Sequence, residues 1–123
     1  AGGLAVPLND ERYMQHELIR ELNFACLLVA RAGLGTINHT LLTLNYAESV
    51  GLKIKGIIVN RAGKAMIERD NVEMIKKLSG NRPVFMIPDA AAVDTENLQA
   101  GDLTEVFEQS VAVEDILELM ETV

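Results

Sequence analysis

The sequence predicts an α/β fold, a small parallel sheet of three strands with flanking helices. Three observations predict it. Apolar runs of strand length at Phe24 to Ala30, Lys55 to Asn60 and Pro83 to Ile87 alternate with segments of helical periodicity. The connections between them are short, as right-handed βαβ units require. The first strand passes into its helix through a glycine turn, Gly33-Leu34-Gly35.

Taken in order, Leu4 to Asn9 is a loop, because Pro7 opposes regular pairing. A helix is expected from Asp10 to about Asn23, with Asn9 or Asp10 as N-cap and Tyr13, Met14, Leu18, Ile19 and Leu22 near helical spacing. Phe24 to Ala30 is continuously apolar, the pattern of a strand buried on both faces. Asn38 to Ser49 is the second helix, with Leu41, Leu42, Leu44 and Ala47 on its apolar side and Gly51 beyond its end. Lys55 to Asn60 is a second buried strand, and Ala62 to about Glu68 a linker. A third helix spans about Asn71 to Leu78 and closes at Gly80. Pro83 to Ile87 is the third strand, stopped by Pro88. Asp89 to Gly101 is irregular, Asp102 to Gln109 a short helix, and Val113 to Glu121 an amphipathic helix expected to cover a sheet face or edge. Three strands leave open edges, so the sheet is expected to belong to a larger one or to lean on a partner.

Composition narrows the function classes. The 123 residues suit one domain, 1–123, with a core of Leu, Ile, Val, Ala and Met. The net charge of −7, with no basic cluster, argues against nucleic acid or an anionic membrane as partner. No apolar stretch approaches the roughly 18 residues of a membrane span, and no signal peptide is visible, so the default compartment is the cytoplasm. The lone Cys26 lies in an apolar run and reads as a small core residue. His16 and His39 are the only histidines, and no HxxH, CxxC or HExxH spacing favours zinc.

The chemistry is expected beyond the carboxyl ends of the strands. Three segments sit there: Arg31 to His39, Asn60-Arg61, and Ile87-Pro88-Asp89. Gly33 and Gly35 allow a tight turn whose following helix presents unpaired N–H groups to an anion. The same pattern serves equally as a capped strand-to-helix turn. Asn38 stands where a dinucleotide fingerprint needs its third glycine, and the next strand ends in Asn60 instead of an acid, which ranks a Rossmann cofactor site low. An Asn60 amide offers a donor and an acceptor to a base edge, or simply forms a turn. No GxxxxGK[ST] occurs; Lys64 follows Gly63 at the wrong spacing.

The run Gly33 to Leu44, GLGTINHTLLTL, resembles the signature of dethiobiotin synthetases. Asn60-Arg61 after GIIV resembles that family's adenine-reading strand end, and Ile87-Pro88-Asp89 its second adenine-contact segment. The opening Ala1 to Leu8, AGGLAVPL, is similar to the tail of its Glu-Gly-Ala-Gly-Gly…Pro-Leu motif. The resemblance covers roughly residues 1 to 90, with Glu96 or Asn97 as a further candidate nucleotide contact. It implies a P-loop NTPase-like fold of which this chain is the carboxy-terminal portion. It implies a homodimer that uses ATP and Mg2+ to carboxylate 7,8-diaminopelargonate with CO2 and close the ureido ring. In that reading Asn60, Arg61, Ile87, Pro88 and Asp89 bind the nucleotide. Gly2, Gly3, Gly35, Thr36 and Asn38 bind the substrate, the last three holding its carboxylate tail across the dimer interface. The P-loop, the catalytic lysine and the metal ligands are expected upstream of Ala1, and the isolated chain is expected to be inactive. The alternative is a non-catalytic dimerisation or small-molecule-binding module of related fold.

Overall fold

The computed structural model describes residues 3–63 and 65–121. The elements run α1 (Gln15–Leu22), β1 (Cys26–Arg31), α2 (Thr36–Ser49), β2 (Ile54–Ala62), α3 (Met66–Leu78), β3 (Val84–Pro88), α4 (Leu103–Ser110) and α5 (Val113–Glu121). The strands form one parallel sheet in the order β1-β2-β3. The α/β class, the parallel pairing and the strand count agree with the expectation.

Alternation along the strands builds two apolar layers. Ile57 and Val59 of β2 face one side, where Leu44 and Ala47 of α2, Val72 and Ile75 of α3, and the half-buried Ile19 of α1 complete the larger core. Ile58 and Ile87 face the other side, joined by Val106 and Phe107 of α4 and Ile116 of α5. The terminal helix thus covers a sheet face. Close approach is possible because β2 carries Gly56: a Cβ there would meet Leu27 at 3.1 Å and Leu119 at 3.3 Å.

Several boundaries differ from the sequence reading. The first helix begins at Gln15, not Asp10. Asn9 does not cap it; its side-chain oxygen accepts the N–H groups of Glu11 at 3.1 Å and Tyr13 at 2.9 Å, closing a turn through Arg12 at φ 65°. The helix start is fixed instead by Glu17, whose carboxylate accepts the Met14 N–H at 2.7 Å. The strand expected at Phe24 starts at Cys26, and it is not buried on both faces: Val29 is 61 % exposed and Phe24 71 %. As an edge strand, β1 is only partly covered by α4 and α5, which reach Leu27 and leave Val29 largely open. The linker expected up to Glu68 is already helical from Met66, so α3 is longer than Asn71 to Leu78. Leu42, expected on the inner side of α2, points outward at 59 % exposure, while Thr36 and Thr40 are buried in its place. Cys26 is half-buried against the larger core, and burial raises its thiol pKa.

Candidate functional site

Parallel strands bring their carboxyl ends to one rim, and there the three expected segments meet. Arg31 pairs in register with Asn60 across β1 and β2. Strand β2 does not stop at Asn60. It continues to Ala62 through a break in register between Val59 and Ala62, with Arg61 at φ 56°. Such an irregularity re-aims side chains at a sheet edge. The Asn60 side-chain oxygen accepts the Arg61 N–H at 3.0 Å and so fixes the amide at the rim, with its NH2 group turned to other partners. Arg61 Nε donates to Asp89 Oδ1 at 3.0 Å, joining the ends of β2 and β3. The pair is solvent-exposed, so its contribution is geometric more than energetic.

Two hollows open here. One, about 360 Å3, is lined by Asn60, Arg61, Pro88 and Asp89 and by Ala90, Ala91, Val93 and Thr95 of the following loop. Its volume suits a flat heterocycle. The other, about 590 Å3, lies between Arg31, Gly33, Asn60, Arg61, Glu68 and Asp89, so the glycine turn and the Asn60 rim share one cleft. Ile87 is buried behind this rim in the smaller core and presents no surface to the first hollow. The loop is held by backbone and acid: Asp94 accepts the N–H groups of Glu96 at 3.0 Å and Asn97 at 3.1 Å and the Asn97 amide at 2.8 Å. These donors, the Asn97 side chain foremost, hold the Asp94 carboxyl below its ordinary pKa. Asn97 is therefore spent on the loop, while Glu96 is exposed.

The turn after β1 is built from three carbonyl restraints. The Thr36 hydroxyl, buried, donates to the Arg31 carbonyl. Asn71, reaching in from α3, donates to the carbonyls of Ala32 at 2.9 Å and Gly33 at 3.3 Å. The Gly33 carbonyl also accepts the Thr36 N–H at 3.3 Å. Gly35, at φ 86°, is the N-cap of α2, a conformation that favours glycine. Gly35 and Asn38 are exposed at the mouth of this turn, and Leu34 at its tip is 92 % exposed. A hollow of about 510 Å3 runs from the turn along the open edge of β1, past Thr36, His39 and Thr43.

Of the remaining expected residues, Gly3 is exposed at φ 126°, and a Cβ there would meet nothing within 4 Å. Gly2 lies outside the described residues, as does Lys64. His16 is no site residue: its Nδ1 is 3.2 Å from the Tyr46 hydroxyl and the rings pack edge-on at 5.5 Å. Asn71 was missed by sequence reasoning. Nothing near it in the sequence marks it, because its partners lie 38 and 39 residues away. Among the described residues, no group of three or more His, Cys, Asp or Glu is placed to hold a metal. No described helix is long and apolar enough to cross a membrane.

Comparison with known proteins adds a lineage to this geometry. The family model described as AAA domain matches residues 1–97. An ATP-dependent dethiobiotin synthetase of Clostridium perfringens is 38% identical over 110 residues, covering 87% of this chain and 47% of its own length. That of Clostridium kluyveri is 36% identical over 124 residues, covering 98% and 51%. That of Anoxybacillus flavithermus is 47% identical over 90 residues, covering 72% and 40%. The chain spans about half the length of the first two relatives.

Proposed function

The chain belongs to the AAA domain family and is a homologue of the dethiobiotin synthetases, and from that premise we propose that it supplies the nucleobase and substrate-tail contacts of an ATP-dependent dethiobiotin synthetase. The observation that carries the reading is the shared cleft. The glycine turn and the Asn60-Arg61·Asp89 rim open on the same space, within the stretch that the relatives match.

In this reading CO2 adds to one amine of 7,8-diaminopelargonate to give a carbamate. A carbamate oxygen attacks the γ-phosphorus of ATP and ADP leaves. The second amine then attacks the carbonyl, phosphate leaves, and the ureido ring closes. The residues of this chain bind and orient. Asn60 offers its NH2 donors and its remaining oxygen lone pair to the adenine edge, and Pro88 borders the ring's hollow. Arg61, held by Asp89, flanks the nucleotide. The carboxylate tail meets the backbone N–H groups at the start of α2 and the Asn38 amide. Thr36 shapes the turn and does not itself donate to the tail, since its hydroxyl is committed to the Arg31 carbonyl and its N–H to the Gly33 carbonyl. Gly2 and Gly3 border the substrate in this reading through the resemblance alone. The exposed Leu34 and Leu42 beside the turn support a second copy of the protein as neighbour, a homodimer with the tail bound at its interface. Magnesium would neutralise charge on the transferring phosphoryl group, with ligands that the resemblance assigns outside these 123 residues. The protein is proposed to work in the cytoplasm.

The test uses calorimetric titration of the protein carrying this chain with ATP and with diaminopelargonate. Asn60→Ala is expected to weaken ATP binding, and Asn38→Ala diaminopelargonate binding. Each loses a hydrogen bond of about 1.5–3 kcal/mol where the partner is charged and about 1 kcal/mol where it is neutral. That corresponds to roughly a 5- to 150-fold rise in Kd. Losses that do not segregate by ligand refute the assignment. The 123 residues alone, given bicarbonate, ATP and magnesium, are expected to form no dethiobiotin, because they carry no GxxxxGK[ST].

A further inference from the structure

We propose that Asn71 is the positioning residue of the carboxylate-binding turn, a role that rests on the tail-binding reading above. Its side chain projects from α3 and bridges two consecutive carbonyls, Ala32 at 2.9 Å and Gly33 at 3.3 Å. Both partners are acceptors, so the amide NH2 faces them. A trans peptide points its C=O and its N–H to opposite sides. Drawing the carbonyls of Ala32 and Gly33 toward α3 therefore turns the N–H groups of Gly33 and Leu34 away from it. Among the described residues those two amides, and that of Gly35, make no turn or loop hydrogen bond. Successive unpaired N–H groups form a concave anion site, here continuous with the start of α2. Thr36 performs the same service one residue earlier by holding the Arg31 carbonyl. The difference lies in origin. Thr36 belongs to the turn's own helix, whereas Asn71 comes from α3, whose first turn carries Glu68 at the cleft beside Asn60 and Arg61. Asn71 thus sets the tail-binding amides relative to the nucleotide side of the cleft, which fixes the orientation of a substrate spanning both.

The test compares diaminopelargonate with its methyl ester, which lacks the anion, in the protein carrying this chain. Wild type is expected to bind the acid at least about tenfold more tightly than the ester, as a charge-assisted hydrogen bond implies. Asn71→Ala is expected to reduce that ratio to near one, by weakening the acid and sparing the ester and ATP. Asn71→Asp keeps the shape but sets a carboxylate against two carbonyls, and should lose the ratio at least as fully. Thermal unfolding of each variant separates a folding defect from a binding one, and Asn71→Asp reads the same ratio if Asn71→Ala does not fold. A wild type that fails to distinguish acid from ester overturns the tail-binding reading itself. A wild type that distinguishes them, with variants that keep the ratio or lose acid, ester and ATP alike, overturns the role of Asn71 alone.

Discussion

Replacing Thr36 by valine tests the architecture of the turn without altering its volume appreciably. Thr36 is 4 % exposed, and its hydroxyl donates to the carbonyl of Arg31 at the end of β1. Valine has no hydroxyl, so the part-buried hydrogen bond to the Arg31 carbonyl is lost, which costs about 1–3 kcal/mol where that oxygen is left without a donor. No cavity opens, and the added methyl returns up to about 0.8 kcal/mol of apolar burial. The net expectation is a loss of roughly 0.5–2 kcal/mol. Thr36→Ser supplies the control: it keeps the donor and gives up one methyl, at about 0.8 kcal/mol. Urea unfolding of the three proteins, followed by circular dichroism, reads these differences from the midpoints at constant m. Hydrogen exchange then localises them. The amides at the start of α2 should exchange faster in Thr36→Val and hold their protection in Thr36→Ser. A valine variant as stable as wild type, with unchanged exchange at α2, would refute the claim that the hydroxyl anchors the turn.

Two glycines should respond in opposite ways to alanine. Gly101 sits at φ 55°, and a Cβ there would lie 2.1 Å from the Ala92 carbonyl oxygen, so Gly101→Ala must displace backbone and should cost at least the roughly 1–2 kcal/mol of a left-handed residue; a thermal midpoint within a degree of wild type would contradict this. Gly33 has nothing within 4 Å of that position, so Gly33→Ala should leave stability within about 0.5 kcal/mol while its new methyl obstructs approach of an anion to the turn, measurable as weaker diaminopelargonate binding at an unchanged melting temperature. Asp94 titrates below the usual aspartate range because Asn97 and Glu96 donate to its charged form. A depressed folded pKa stabilises the loop above the ordinary carboxylate range, and that contribution disappears as pH falls through the folded value. Carboxyl titration by NMR should place Asp94 below an unstructured aspartate, and Asp94→Ala should remove the acid-dependent step in Glu96 and Asn97 amide exchange.

How much of this was legible in the sequence depends on how local the cause was. The β2 core was readable because Ile57, Ile58 and Val59 are apolar in succession and the strand is central, covered on both faces. The same apolar continuity misled at β1. There the run from Phe24 ends in an edge strand, and the α4–α5 layer that packs on Ile58 and Leu27 leaves Val29 largely open. Periodicity reports which residues want burial, not whether a neighbour arrives to bury them. The first helix was overextended for a different reason. Asn9 suits an N-cap and an Asx turn equally well, and the choice fell to Glu17, which satisfies the Met14 N–H one turn later.

The site shows the same division with a functional consequence. Gly35 announces itself, because a turn at positive φ before a helix selects glycine. Asn60 and Arg61 could be placed at a strand end, but the register break that tilts them needs the pairing of β2 with β3 to be seen. Asn71 is illegible in principle from one sequence, since an asparagine on a helix gains meaning only from the two carbonyls it meets 38 and 39 residues upstream. Motif residues are those that a ligand or a backbone conformation selects directly, and local sequence records them. The residues that hold a motif in place are selected through distant contacts, and here they lie on α3. A protein that kept GLGTIN intact but lost Asn71 would retain the family's signature, and it would hold the amides of that turn less firmly toward the cleft.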